Sequence, residues 1–455
     1  VLQAVGGKRP AFRLYGKLLL TADGNKEYLA TTEEDLLSYS ECSEQLKQHS
    51  DEVPTLRLAH GHNTRQAMGY GFLKWQDFFN DRQLVALIML RTAVLQIEHE
   101  STRNALFALF SGVLEFNNLF ASYKGEGTGA VRHMFSHHIL KPERTPIEAN
   151  VWGTKKSSGS FSNLFRSRLL RAIDYRERPT EVNGTGSEEG RVCSPPFTGE
   201  LAKWGAKLPR RGLALSCGDS ATTGLPDKSI DFVVTDPPFF DNVHYSELAD
   251  FFYAWNKQSE PAGTRRESEV QDGDAARFAA KLQAVLGECQ RVLTDDGLLV
   301  FTYHHSRDEG WSSLGEAVLN AGFVFVNSHP VRAEMSVGTP KSQAKEPIQL
   351  DVILVCRKLG CATPPASPEQ AVKSANAKLD RLEQAGFELS TNDRKIVYYG
   401  QLLTTIRDVD SLPALRAVVE TELASARPHP PLPAPPSRAA QRNKRTGQRM
   451  LFQDS

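Results

Sequence analysis

The chain has 455 residues, and at roughly 150 residues per domain that length predicts two or three folded units with room for a sizeable core. Its composition, 40% hydrophobic, 24% charged and 9% aromatic, lies in the globular range and excludes collagen-like, wholly disordered and membrane-embedded classes. Lysine plus arginine equals aspartate plus glutamate, 54 each, so there is no global basic bias, and any contact with nucleic acid must come from local patches.

Residues 1–60 predict a small α+β lead-in: β-like runs from Phe12 to Leu20, then a helix opened by Thr31-Thr32 and the carboxylates Glu33, Glu34 and Asp35. Residues 61–205 predict an α-rich insertion. Helical spacing runs through Leu84, Leu87, Leu90, Ala93, Val94 and Ile97, and again from Ala105 to Phe120. Leu84 to Ile97 is the most apolar stretch, yet Arg91 interrupts it and it falls short of the ~18 apolar residues of a spanning helix. Trp75 with Phe72, Phe78 and Phe79 reads as core ahead of a base-stacking platform, and His133, His137 and His138 with Arg132 as a solvated face first and a DNA contact second. From Lys155 to Pro209 the chain turns rich in Ser, Gly, Arg and Pro, apart from a short helix near Asn163 to Ile173, which marks a junction. There Lys155, Lys156, Arg166, Arg168 and Arg171 form either a phosphate-contacting strip or a solvated loop.

Residues 206–358 change to strands alternating with helices, the pattern of a parallel α/β sheet. The strands are Gly212 to Cys217, Ile230 to Thr235 and Leu298 to Tyr303, with a helix from Asp274 to Leu293 before the third. After a helix near Leu314 to Ala321, Phe323 to Val326 and Ile348 to Cys356 predict a final strand pair, separated by a polar loop from Asn327 to Pro347 of the length usually kept for function. Residues 359–425 predict helices, and 426–455, rich in proline and arginine, a disordered basic tail. The cysteines at 42, 193, 217, 289, 356 and 361 show no paired spacing, and His304-His305 has no third ligand, so no structural metal is expected. Without a secretory signal pattern, a cytoplasmic protein is the expectation.

The most informative stretch is Val233-Val234-Thr235-Asp236-Pro237-Pro238-Phe239-Phe240. An apolar strand ends there in an acid, two prolines and two aromatics, at the sheet edge where open α/β folds bind ligands. The prolines fix the backbone and remove two N–H donors, leaving an acceptor-rich corner beside a carboxylate and a flat ring. Such a corner suits a planar group that donates N–H bonds, as the exocyclic amine of a nucleobase does.

These residues resemble the amino-methylating DNA methyltransferases, whose signature is Asp, Asn or Ser followed by Pro-Pro and an aromatic, here Asp236-Pro237-Pro238-Phe239. Upstream, Cys217-Gly218-Asp219-Ser220 and Leu225 to Asp231 look like the family's preceding strand and its acidic contact to the cofactor adenine. Downstream, Phe240-Asp241-Asn242-Val243-His244-Tyr245-Ser246-Glu247-Leu248, Asp250 to Trp255, Arg291-Val292-Leu293 and Val300 to His305 look like one branch, the large adenine-specific DNA methylases with an N-terminal domain of unknown function. Gly69-Tyr70-Gly71-Phe72 with Trp75, Phe78 and Arg82-Gln83-Leu84, and Glu148-Ala149-Asn150 with Trp152-Gly153, are similar to that branch too, so the resemblance covers most of residues 10–358.

The resemblance implies a Rossmann-like methyltransferase sheet that uses S-adenosyl-L-methionine and acts on DNA. It implies catalysis by Asp236, Pro237, Pro238 and Phe239, cofactor contacts from Gly218, Asp219 and Asp236, and DNA contacts from Asp241, Asn242 and Tyr245. Arg332 and Lys341, in the 327–347 loop, are further candidates for DNA contact. The α-rich block is then the target-recognition region. Adenine N6 is the expected acceptor, with cytosine N4 or RNA open because the tetrad fits any exocyclic amine. No cysteine follows a proline, which disfavours methylation at a ring carbon. The family's glycine-rich cofactor loop has no counterpart after an apolar strand; Gly125-Glu126-Gly127-Thr128-Gly129 follows a helix instead and reads as a turn. With the start at Val1, this departure is read as a fragment, a half-site completed by a partner, or a non-catalytic DNA-binding remnant. Finally, Gln448-Arg449-Met450-Leu451-Phe452 resembles the peptide by which bacterial proteins dock on the DNA sliding clamp, through Gln448, Leu451 and Phe452.

Overall fold

The computed structural model describes residues 9–124, 130–136, 140–143, 145–154, 157–181, 191–192, 199–240, 245–256, 269–270, 272–333, 348–361 and 364–425. A hairpin of β1 (Gly16–Leu20) and β2 (Lys26–Ala30) leads into α1 (Glu33–Gln48), which Thr32 and Asp35 cap reciprocally. Lys17, from the hairpin, holds the Asp35 carboxyl down at about 2, with help from the Thr32 amide.

The helical block follows: α2 (Thr64–Gly69), α3 (Asp81–Leu95), α4 (Glu100–Leu114), and the hairpin β3 (Ser122–Lys124) and β4 (Ala130–Arg132). A continuous helix then runs through α5 (Phe161–Leu164), a π-helical stretch Phe165–Leu170 and α6 (Arg171–Glu177). Two short pairs come next, β5 (Thr180–Glu181) with β6 (Arg191–Val192), and β7 (Glu200–Ala202) with β8 (Gly212–Ala214). The rest comprises β9 (Ile230–Thr235), α7 (Tyr245–Asn256), α8 (Ala275–Val292), β10 (Leu293–Tyr303), α9 (Asp308–Asn320), β11 (Phe323–Arg332), β12 (Leu350–Lys358), α10 (Pro368–Gln384), α11 (Thr391–Leu402) and α12 (Leu412–Ser425).

The class is mixed α/β, and the central sheet has the order β11-β12-β10-β9. It is not the parallel sheet the sequence predicts: only β9 and β10 run parallel, while β12 is antiparallel to both β10 and β11. Strands β11 and β12 do form the expected terminal pair, and their antiparallel pairing sets the direction of β12 against β10. The predicted first strand also departs from expectation. Only Gly212–Ala214 is extended, and it pairs with β7 in a separate parallel ribbon instead of joining the sheet. Three residues with Leu213 exposed cannot bury enough apolar surface to claim a central place.

Alternation along the strands gives the sheet one closed face. Leu299, Phe301 and Tyr303 of β10 and Val352, Leu354 and Cys356 of β12 are buried, packed with α9 and α11. On the other face Val234, Val300 and Val355 lie in one row across three strands, and Phe232 lies opposite Leu298. This face is open at β9, where Phe232 is 64% and Val234 78% exposed. Among the described residues no strand pairs with the outer edge of β9.

Buried residues gather in two clusters. One surrounds the sheet; the other is the helical block, where Phe72, Trp75, Phe78 and Phe79 are core as expected. Helix α7 belongs to the second, through Leu248, Phe251, Ala254 and Trp255, although it follows β9 in the chain. Among the described residues no helix is long and apolar enough to cross a membrane.

Candidate functional site

The site is built where β9 stops. Register decides its neighbours: Phe301 of β10 pairs with Thr235, so the next residues along, Thr302 and Asp236, lie side by side at the carboxyl ends of parallel strands. The Thr302 hydroxyl donates a hydrogen bond to Asp236 Oδ1. Asp236 is exposed, and Pro237, Pro238 and Phe239 are half-buried, so the chain leaves the strand as a stiff ledge with carbonyls and without two of its N–H groups.

Phe239 is held edge-on by two rings of the β10 end, Tyr303 at 5.3 Å and His304 at 4.7 Å between centroids. Each of these is fixed in turn. The Tyr303 hydroxyl donates to the Gly310 carbonyl at 2.9 Å, and the His304 ring meets the Asp351 carboxylate through Nδ1. Asp351 reaches this edge because β12 is antiparallel to β10 and begins where β10 ends.

Phe240 anchors the ledge from below. It is buried against Phe278 at 5.4 Å and His305 at 5.6 Å, with the Arg307 guanidinium 5.4 Å over its ring. Its φ is +38°, a left-handed conformation that bulky side chains avoid, so burial of the ring holds a strained turn beside the carboxylate. The loop carrying His305 packs tightly: a Cβ on Gly310 would stand 2.4 Å from His305 Cγ, so only glycine allows the approach. Trp311 Nε1 donates to the His305 carbonyl at 2.9 Å.

The segment before β9 is clamped to α8. Glu288 accepts from the Thr223 amide at 2.8 Å and from its hydroxyl, while Arg291 bonds Glu288, Asp227 and the Leu225 carbonyl. The Arg291 guanidinium first, and Thr223 second, hold the Glu288 carboxyl down at about 2.

Of the sequence-predicted residues, Asp236, Pro237, Pro238 and Phe239 come together as one corner, and Arg332, at the exposed end of β11, lies on the same edge of the sheet, its register partner Leu350 standing next to Asp351. Gly218 and Asp219 do not join them through any bond among the described residues. They sit on an exposed turn beyond β8, where Asp219 accepts from the Ala221 amide at 2.9 Å. Tyr245 opens α7 and is exposed. Asp241, Asn242, Lys341, Gln448, Leu451 and Phe452, the glycines of 125–129 and the tail from 426 lie outside the described residues. Among the described residues, the tetrad corner and the Gly218–Asp219 turn therefore stay two separate features.

Sequence reasoning assigned no role to Thr302, and it missed Asp351. Only a strand register reveals them, because the first lies 66 residues from its partner and the second 47. Two motifs quoted from distant parts of the chain do meet: Arg82 Nη2 donates to Glu148 Oε2 at 3.1 Å, and Asn80 Nδ2 does so at 2.9 Å. Among the described residues no group of three or more His, Cys, Asp or Glu side chains is arranged to hold a metal. No protein-family model matches the chain, and no curated protein matches it.

Proposed function

We propose that the chain is an S-adenosylmethionine-dependent DNA methyltransferase that modifies the exocyclic amine of a flipped base, adenine N6 first among them, with β9 to β12 as part of a Rossmann-like sheet. One observation carries the reading. A carboxylate fixed by Thr302, a Pro-Pro ledge and a half-buried ring wedged by Tyr303 and His304 converge at one sheet edge. An aromatic amine is a poor nucleophile because its lone pair is delocalised into the ring. Asp236 and the Pro237 carbonyl accept its two N–H bonds, which lets the nitrogen become tetrahedral and directs its lone pair outward. The base leaves the duplex to reach the corner and stacks on Phe239. Catalysis by the chain's own residues is therefore positioning and preorganised electrostatics. The methyl donor implied by the family resemblance is S-adenosylmethionine, whose part is to present an electrophilic methyl group.

The test is transfer of labelled methyl groups to DNA by the full chain. Asp236→Ala is expected to lower transfer by at least about 100-fold, with folding kept because the side chain is exposed and lies outside both cores. Wild-type activity in that variant would overturn the assignment. A second reading is favoured by the outer edge of β9, with which no strand pairs among the described residues: the chain holds the amine side, and a further polypeptide segment adds strands to β9 and completes the cofactor side. Titration of S-adenosylmethionine into the folded chain separates the two. Low-micromolar binding supports a site complete in this chain, and no binding supports the half-site.

A further inference from the structure

The continuous helix from Phe161 to Glu177 is rooted at one end only. Phe161 and Leu164 are buried in the helical core, and from Arg166 to Arg178 every residue except Leu169 is exposed. The root is stiff. The Phe161 and Ser162 amides donate to the Val151 and Trp152 carbonyls at 2.8 and 3.0 Å, which satisfies helix-start donors and seats Trp152 on the arm. Arg168 folds back over the Phe116 ring at 6.0 Å, passing so close to α4 that a Cβ on Gly112 would meet its Nη1 at 2.5 Å.

Four other arginines, Arg166, Arg171, Arg176 and Arg178, leave the root with no ion-pair partner among the described residues, although Asp174 and Glu177 share the arm. In a chain whose charges balance overall, this concentrates positive charge on a protruding rod. Trp152 is 63% exposed at the foot of the rod, 5.7 Å from the Phe161 ring and nearly parallel to it. A π-helical stretch in the middle, rare in helices and frequent at functional positions, shifts the register of the arginines around the axis.

We propose that this arm is a DNA-contacting element, in which Arg166, Arg171, Arg176 and Arg178 neutralise backbone phosphates of a duplex and Trp152 packs against the strand at the foot of the arm. The choice of DNA as partner rests on the reading of the Asp236 corner and on the guanidinium groups, which suit phosphates spaced along a groove; the arm also exposes Leu170, Ile173 and Tyr175, and a protein partner seated on these would leave the salt slope for DNA unchanged in the arginine variant.

The test is binding of the full chain to a fluorescently labelled duplex across a range of salt concentrations. Each phosphate contact contributes about −0.9 to the slope of log K against log salt. Replacing the four arginines with glutamine (R166Q, R171Q, R176Q, R178Q) is expected to lower the magnitude of the slope by roughly 3 to 4. A control with the same charge change, K203Q, K207Q, R210Q and R211Q on the exposed β7–β8 segment, is expected to change it little. An unchanged slope in the arm variant, an equal fall in the control, or tighter binding to single-stranded RNA than to duplex overturns the assignment. The outcome is separable from that of the catalytic reading, because the salt slope is read from binding alone and is expected to fall in the arm variant whether or not the chain transfers methyl groups.

Discussion

At the scale of single residues, the corner depends on a hydroxyl to which the reading of its segment, Val300 to His305, assigns no role. Thr302 donates to Asp236 Oδ1, which leaves Oδ2 and the Pro237 carbonyl as the acceptors that the proposed reaction needs for an amine. Thr302→Val keeps the shape and removes the donor. A hydrogen bond to a charged group is worth about 1.5 to 3 kcal/mol, so the rate of transfer should fall roughly 10- to 100-fold. KM for DNA and the thermal midpoint should stay near wild type, and Thr302→Ser should restore the rate; an equal loss in KM would show that Thr302 serves binding instead. The tetrad itself was legible, because two prolines after an acid dictate the local backbone whatever surrounds them. Thr302 and Asp351 were not, because a partner supplied by another strand is set by long-range register.

At the scale of elements, β9 is aimed by a polar clamp. Glu288, in the last turns of α8, grips Thr223 seven residues before β9, and Arg291 grips Leu225 and Asp227. The Glu288 carboxyl titrates at about 2 in the folded chain. The ordinary value is about 4.3, so the unfolded chain binds this proton more readily. The stability due to the clamp is complete above the unfolded value and is lost as the pH falls toward 2. Thermal unfolding of the wild type should therefore decline between about pH 5 and pH 2, and Glu288→Gln should flatten that part of the profile while lowering the midpoint at neutral pH. A parallel decline in both proteins would place the acid sensitivity elsewhere. The helix α8 was readable from its apolar spacing and from Asp274, whose side chain accepts from the Arg277 amide at 2.9 Å. The mixed direction of the sheet was not, since strand composition tells how deeply a strand is buried more readily than which way its neighbour runs.

At the scale of the whole molecule, the chain crosses between two cores just after the Asp-Pro-Pro-Phe tetrad. Phe240 is buried with the sheet, and five residues later α7 begins and enters the helical core. A polar tie reinforces the crossing: the Glu247 carboxylate accepts from the His62 and Asn63 amides at 2.9 and 2.6 Å, and a Cβ on Gly61 would clash with it at 2.2 Å. No helix is predicted from the sequence over residues 245–256, and amphipathic spacing says nothing about which core receives a helix's apolar side. Phe251 shows how deeply it is received. Its ring lies 5.7 Å from Phe79, 5.9 Å from Trp75 and 5.8 Å from Phe135, and it is fully buried. Phe251→Ala should cost about 3 to 5 kcal/mol, and the loss should be local to one core. Hydrogen exchange is the measurement that reads this: amides of α3, α4 and α7 should lose protection while those of β10 and β12 keep theirs. Equal loss in both sets would mean that the two clusters unfold as one unit. Loss confined to the helical core would mean that the ledge at Asp236 is tethered on its far side to a separately melting body, so that the order of the helical block sets how firmly the corner is held.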